Sequence, residues 1–484
     1  MSGAVAATEL ALLDALDQAR LVRARELTPT ELAEAALARV DALDPQLNAV
    51  VVDARAAGLR AAAGPLPDGP LAGVPMLLKD LGAACAGMPR TDGSALLDGW
   101  IDAEDCELVR RYKAAGLVLL GRTSSPEFGN AATTEPRRYG PCRNPWDLNR
   151  STGGSSGGAA AAVAAGLVPI AHGSDGGGSI RIPASCCGLV GLKPTRGRVS
   201  AAPGNEEALC GFGVEHVLAR SVRDSAAALD AEAGAAPGDP YFPPPPERPF
   251  LAEVGAPPGR LRVAVATATW TGTRLHRECA AAVERTAELL EALGHEVVHT
   301  APALDGEALL DAFAVVWAAA TAWGLAATER QVGRAIGPGD VEPGNLGLAA
   351  HGRRISAIEH LDARATLNEQ SRRIGRFFAG CDVLLGATLN RLPDPLGAAA
   401  PFAGAAAFFA QDAAYCGENY LANMTGQPAI SLPLHWSAEG LPVGVQLMGR
   451  YGCEAILLRL AAQLEEARPW ADRIPPVHAS KPSA

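Results

Sequence analysis

The sequence predicts an α/β fold in which strands and helices alternate along the chain. Short apolar runs closed by a polar residue or glycine recur from Asn48 to Leu447, and segments with helical spacing or capping residues stand between them. Hydrophobic residues make up 48% of the chain, ample for a large core, against 20% charged. No internal repeat divides the pattern. Length alone, at 484 residues, would favour two or three domains.

Taken in order, Thr28, Pro29 and Glu31 form a capping box, with Thr28 as N-cap, Pro29 in the first turn and Glu31 reaching back, so a helix should run to about Leu43. Residues 48–52 read as a strand and 53–63 as a helix before the turn at 65–70. The run 74–79 is short, apolar and ends in a charge, which suits a buried strand carrying Lys79 to an interior end. A helix at 105–115, a strand at 117–120 and a polar loop at 123–130 with Gly129 and Asn130 follow. An Ala-rich helix is expected at about 157–165, then strands at 168–171 and 189–192. Residues 234–258 are rich in proline and glycine and poor in large apolar side chains, so they read as a surface connection. Beyond it come strands at 261–265, 296–298, 383–385, 429–434 and 443–447, with helices at 278–293 and 454–466.

Two serine-bearing glycine clusters, 153–158 and 175–179, flank the Ala-rich segment. Glycine lets the main chain approach a ligand with no side chain intervening. Gly176, Gly177 and Gly178 before Ser179 can turn several backbone N–H groups toward one point, so the amides of Gly176 to Ser179 suit an oxyanion hole and Ser179 a nucleophile. Ser155 and Ser156 sit at a helix N-terminus, where unpaired N–H groups favour negative charge. Taken alone, the clusters also fit a plain glycine turn and two helix caps.

Three other motifs compete. Gly154, Ser156 and Gly158 satisfy G-x-S-x-G, which would make Ser156 the nucleophile with a histidine partner, but the preceding NPWDLNRST is polar and loop-like where that elbow needs a strand. His295 to His299 spells H-E-x-x-H, yet Gly294 and the valine pair favour a strand, which would put the two histidines about 13 Å apart. Neither a P-loop nor a G-x-G-x-x-G occurs.

GGSSGG, GSDGGGSIRIPA and CGLVGLKPT, with Ser179 placed 24 residues after Ser155 and Lys79 upstream in AGVPMLLKD, resemble the amidase signature family of Ser–cis-Ser–Lys hydrolases. The likeness runs from about residue 20 to PAISLPL and LPVGVQLMG; in the N-terminal half, LLKD, TTEP, CRNPWDLNRS and GLKPTRGR are similar to its nylon-oligomer hydrolase branch. The resemblance implies one domain over 1–484, a large mixed central sheet covered by helices on both faces. An N-terminal catalytic layer (about 1–233) and a C-terminal layer (259–484) would flank the connection. It further implies Ser179 as nucleophile, Ser155, after a cis Gly154–Ser155 peptide, as proton shuttle, and Lys79 as a base kept neutral by desolvation. Ser156, Asp175 and Arg181 would support the turn. Gly129, Asn130 and Trp317 are candidate substrate contacts; Trp323 and the run 401–410 with Phe408 and Phe409 fit a pocket wall or plain core packing.

The implied activity is cofactor-free and metal-free hydrolysis of small to medium, mostly uncharged linear or cyclic amides, extending to aryl amides and carbamates, in a possible homodimer. The alternative is the amidase-fold component of a tRNA-dependent amidotransferase complex, which typically carries glutamine where Ile182 stands. A net charge of −11 argues against nucleic-acid or acidic-membrane partners. No cationic leader with an apolar core opens the chain, and ten scattered cysteines, including the adjacent Cys186 and Cys187, suit reduced thiols in a cytoplasm. The apolar segment 312–327 is short of the ~18–20 residues of a membrane span and reads as a buried or pocket-lining helix.

Overall fold

The computed structural model describes residues 7–205, 207–337, 339–398 and 403–481. Its strands are β1 (Val50–Asp53), β2 (Pro75–Lys79), β3 (Val118–Thr123), β4 (Arg143–Asn144), β5 (Asp147–Ser151), β6 (Ile170–Asp175), β7 (Val190–Lys193), β8 (Val214–Ala219), β9 (Arg262–Val265), β10 (Glu296–His299), β11 (Val383–Ala387), β12 (Ala429–Trp436) and β13 (Pro442–Gly449). All but β4 and β5, which pair separately, form one sheet of eleven strands in the order β1-β3-β2-β6-β8-β7-β12-β13-β11-β9-β10. The sheet is mixed, with β2 parallel to β3 and β6, β9 parallel to β10 and β11, and antiparallel pairs elsewhere.

Side chains alternate across the sheet as the two-residue period of a strand demands. Met76 and Leu78 of β2 enter one core and Leu77 the other; Val263 and Val265 of β9 part from Ala264 in the same way. Both faces are covered, one by helices that include Pro29–Leu47, Gly157–Ala164 and Gly306–Val332, the other by helices that include Arg277–Ala292 and Glu454–Ala467. Each core draws on residues from both sides of 234–258. The capping box at Thr28 is present, and its helix runs past Leu43 to Leu47.

Four expectations need correction. The stretch 234–258 is not wholly superficial. It carries a single helical turn, Phe250–Glu253, in which Phe250 is buried beneath the Arg198 guanidinium and Glu253 pairs with Arg248 and Arg459. Further bonds hold the strap, from Arg198 to the Pro244 carbonyl and from Ser200 to Asp239. The segment before GGSSGG is not all loop, because Asp147–Ser151 is a strand of the small hairpin. The apolar segment 312–327 belongs to a 27-residue helix, Gly306–Val332, long and apolar enough to cross a membrane by length and composition; Leu309, Phe313, Val316 and Trp317 on it are nonetheless buried in the core. Finally, β8, the helix Val222–Glu232 and the helices Pro343–Gly352, Ala357–Phe377, Ala405–Cys416 and Tyr420–Thr425 had no counterpart in the sequence reading.

Candidate active site

β2 lies between β3 and β6, so its last residue has protein on every side, and Lys79 is fully buried. Its ammonium nitrogen is 2.7 Å from Ser155 Oγ and 2.9 Å from Ser174 Oγ. Burial pushes the Lys79 ammonium from 10.5 down to about 7, against the opposing pull of the Glu215, Asp175 and Asp92 carboxylates. Ser155 follows a cis peptide bond to Gly154, as the resemblance implied. Ser155, Ser174 and Ser179 face one cavity of about 450 Å³, with Gly129, Asn130 and Trp317 in its wall. A smaller void meets Ser179 as well, lined by Phe313, Phe408, Phe409 and Tyr420; Pro401 and Phe402, of the same predicted run, lie outside the described residues.

The turn that presents Ser179 is organised by Asp175 at the end of β6. Its carboxylate accepts the amides of Gly178 at 2.7 Å and Ile180 at 3.2 Å, and pairs with Arg181 through Nε at 3.0 Å and Nη2 at 2.9 Å. Burial alone would push this carboxyl up, but the Arg181 charge and hydrogen bonds, aided by Lys193 and Asn423, hold it well below the usual carboxylate range. Arg181, itself fully buried, also donates to Gln446 Oε1 and Asn423 Oδ1, both at 2.6 Å, which ties the turn to β13 and to the helix Tyr420–Thr425. Gly178 has a φ of +119°, a region closed to other residues, and a Cβ there would come within 2.6 Å of Asn419. The expected set of oxyanion donors narrows here. The Gly178 amide is spent on Asp175, which leaves those of Gly176, Gly177 and Ser179, for which no hydrogen-bond partner exists among the described residues.

A family model described as Amidase matches residues 31–458. The chain belongs to the amidase signature family. It is 41% identical over 475 residues to the 6-aminohexanoate-cyclic-dimer hydrolase of Paenarthrobacter ureafaciens, with 96% of each chain covered. Among solved structures it is similar to a 6-aminohexanoate cyclic dimer hydrolase complexed with substrate, at TM-score 0.90, 39% identity and coverage of 96% of this chain and 99% of that one. It is also similar to a bacterial aryl acylamidase of the amidase signature enzymes, at TM-score 0.88, 28% identity and coverage of 97% and 99%. This amidase is therefore an enzyme that hydrolyses amide C–N bonds.

The remaining candidates of the amidase separate by their partners. Ser156 Oγ bonds the backbone of Ser174 in both directions, and its amide donates to the Ser179 carbonyl, so it joins the two glycine clusters; it makes no side-chain cap on the helix Gly157–Ala164. Its hydroxyl is thus engaged by backbone, and among the described residues no histidine bonds to it, although a strand does precede the motif. His295 precedes β10 and His299 ends it, in an extended segment as expected; His295 accepts the Leu261 amide and meets Gln463. Asn130 is gripped from both ends: its Oδ1 accepts Trp317 Nε1 and its Nδ2 donates to Asn345 Oδ1, each at 2.9 Å, and Asn345 in turn donates to Glu127. His172 lies beneath the lysine: its Nδ1 accepts the Lys79 amide while Nε2 meets Glu215 at 2.9 Å. Sequence reasoning missed Ser174, Asn345, Asn423 and Gln446. Ser174 had a local signal, its place beside Asp175 in GSDGGGS, and Gln446 lies within the LPVGVQLMG segment that carries the resemblance; Asn345 and Asn423 stand alone, 215 and 242 residues from Asn130 and Arg181, and had none.

Proposed function

We propose that this amidase cleaves its substrates through an acyl-enzyme on Ser179, and that its substrates are small to medium, mostly uncharged linear or cyclic amides, with aryl amides and carbamates within reach of the same chemistry. The observation that carries the reading is a dry lysine, Lys79, within 2.7 Å of the Ser155 hydroxyl on a cavity shared with Ser179. Ser179 Oγ bonds to the carbonyl carbon as its proton passes to Ser155, whose own proton passes to neutral Lys79. The amides of Gly176, Gly177 and Ser179 receive the oxyanion. The C–N bond then breaks as the proton returns by way of Ser155 to the leaving nitrogen, and water releases the acid by the same relay. Similarity to a cyclic-dimer hydrolase and to an aryl acylamidase supports both ends of the substrate range.

The test is hydrolysis of a p-nitroanilide, a cyclic lactam dimer and an aryl carbamate by wild type, Ser179→Ala and Ser156→Ala. Ser179→Ala is expected to lose about 10³-fold or more in kcat on every substrate that wild type turns over. A dead Ser156→Ala beside an active Ser179→Ala would overturn the assignment.

A further inference from the structure

Lys79 is held by more than its serines. β6 and β8 are antiparallel neighbours in which Ser174 stands opposite Glu215. With the two-residue period of a strand, His172 and Ser174 share the face of the sheet that Glu215 occupies. Ser174 Oγ is 2.9 Å from Lys79 Nζ, and His172 Nδ1 accepts the Lys79 amide at 3.2 Å. A ring nitrogen that accepts carries no proton, so the imidazole proton sits on Nε2 and is donated to Glu215 at 2.9 Å. Glu215 thus grips the end of β2 through one neutral imidazole, and it also lines the cavity shared by the three serines. Burial drives the Lys79 ammonium down to about 7, and three carboxylates oppose burial, Glu215 first, then Asp175 and Asp92. Asp175 is answered by Arg181, and Asp92 by Arg90 at 2.7 Å. Among the described residues Glu215 has no arginine or lysine partner, only the His172 ring. Arg122 donates to the Lys79 carbonyl but pairs with Asp102, and the adjacent Asp80 accepts the amides of Thr91 and Gly93. From the neighbouring helix Glu107–Ala114, Tyr112 stands edge-on to His172 at 6.1 Å with its hydroxyl on Glu232; just before that helix, burial pushes the Cys106 thiol in the cavity wall up to about 11.

We propose that Glu215 is a positioning residue of the relay: it anchors the Lys79 backbone through His172, and its uncompensated charge steadies the ammonium that Lys79 becomes when it takes the Ser155 proton. This rests on the acyl-enzyme reading of the serine cluster and adds what sets the strength of its base. A lysine in a dry site with no facing carboxylate stays neutral to lower pH but accepts a proton less readily. Removing the charge of Glu215 therefore has two consequences of opposite sense. More of the enzyme carries free amine at pH 6, and each free amine is a poorer base.

The experiment compares the pH profiles of kcat/KM of wild type, Glu215→Gln and Glu215→Asp on the panel substrate that wild type turns over fastest. Glutamine keeps the shape of Glu215 and an oxygen to accept from His172 while removing the charge, so the fold is retained; aspartate keeps the charge and shortens the reach. In wild type the midpoint of the rise should fall near pH 7. In Glu215→Gln it should move down by about one unit, and the alkaline plateau should fall by about threefold or more. Glu215→Asp should keep its midpoint within about 0.3 unit of wild type. A role in packing alone would lower the urea midpoint of Glu215→Gln and leave its pH midpoint in place, and that result overturns the proposal. Equal shifts in both variants overturn it as well, because the bond to His172 and not the charge would then be at work. A wild-type profile flat between pH 6 and 9 would instead overturn the lysine base on which the proposal rests.

Discussion

Lys79→Met tests the proposed base by two independent readouts. An ordinary lysine holds its proton to about 10.5 and Lys79 gives it up at about 7, so the unfolded chain binds the proton more tightly than the folded one. The sign follows: stability contributed at this site rises with pH between those two values and is lowest below pH 7. The cost works out at roughly 5 kcal/mol at pH 6.5 and about 2 kcal/mol at pH 9. Methionine of similar length avoids that cost but forfeits the bonds to Ser155 and Ser174. Groups common to both proteins cancel in the difference. The variant should therefore be inactive, and its urea midpoint should exceed that of wild type by a margin wider at pH 6.5 than at pH 9. Wild-type kcat/KM should climb by about tenfold from pH 6 to pH 8 as the neutral amine forms. A flat wild-type profile between pH 6 and 9, or a stability margin equal at both pH values, would refute the reasoning.

Two further outcomes are expected. Arg181→Met strands the buried Asp175 carboxylate and leaves Gln446 and Asn423 without their donor, and urea titration should find a loss of about 3–5 kcal/mol; a loss below about 1 kcal/mol would show that the cluster relaxes. Gly178→Ala must place a Cβ 2.6 Å from Asn419 at a φ of +119°, and initial rates should fall by about 100-fold; rates within about twofold of wild type would show that the turn is not held to this shape.

Much of this protein was legible residue by residue. Thr28, Pro29 and Glu31 announced a helix start, because a cap is made within one turn of chain. The apolar run ending at Lys79 announced a buried strand, and β2 holds it there between two parallel neighbours. The three glycines before Ser179 announced a turn, since a φ of +119° at Gly178 leaves its mark on residue choice. All of these are short-range demands, each written into the few residues that meet it.

Tertiary structure decided what depends on distance in sequence. That Asn345 holds Asn130, that Arg181 is answered by Gln446 and Asn423, and that Phe250 lies beneath Arg198 were unreadable locally. So was the cavity that holds the three serines, whose lining runs from Leu81 to Gln331. A lone asparagine or glutamine has the same backbone preferences whether it faces water or a buried guanidinium. Only the chain folded back on itself supplies the partner, and it is the partner that turns a polar side chain into part of a site.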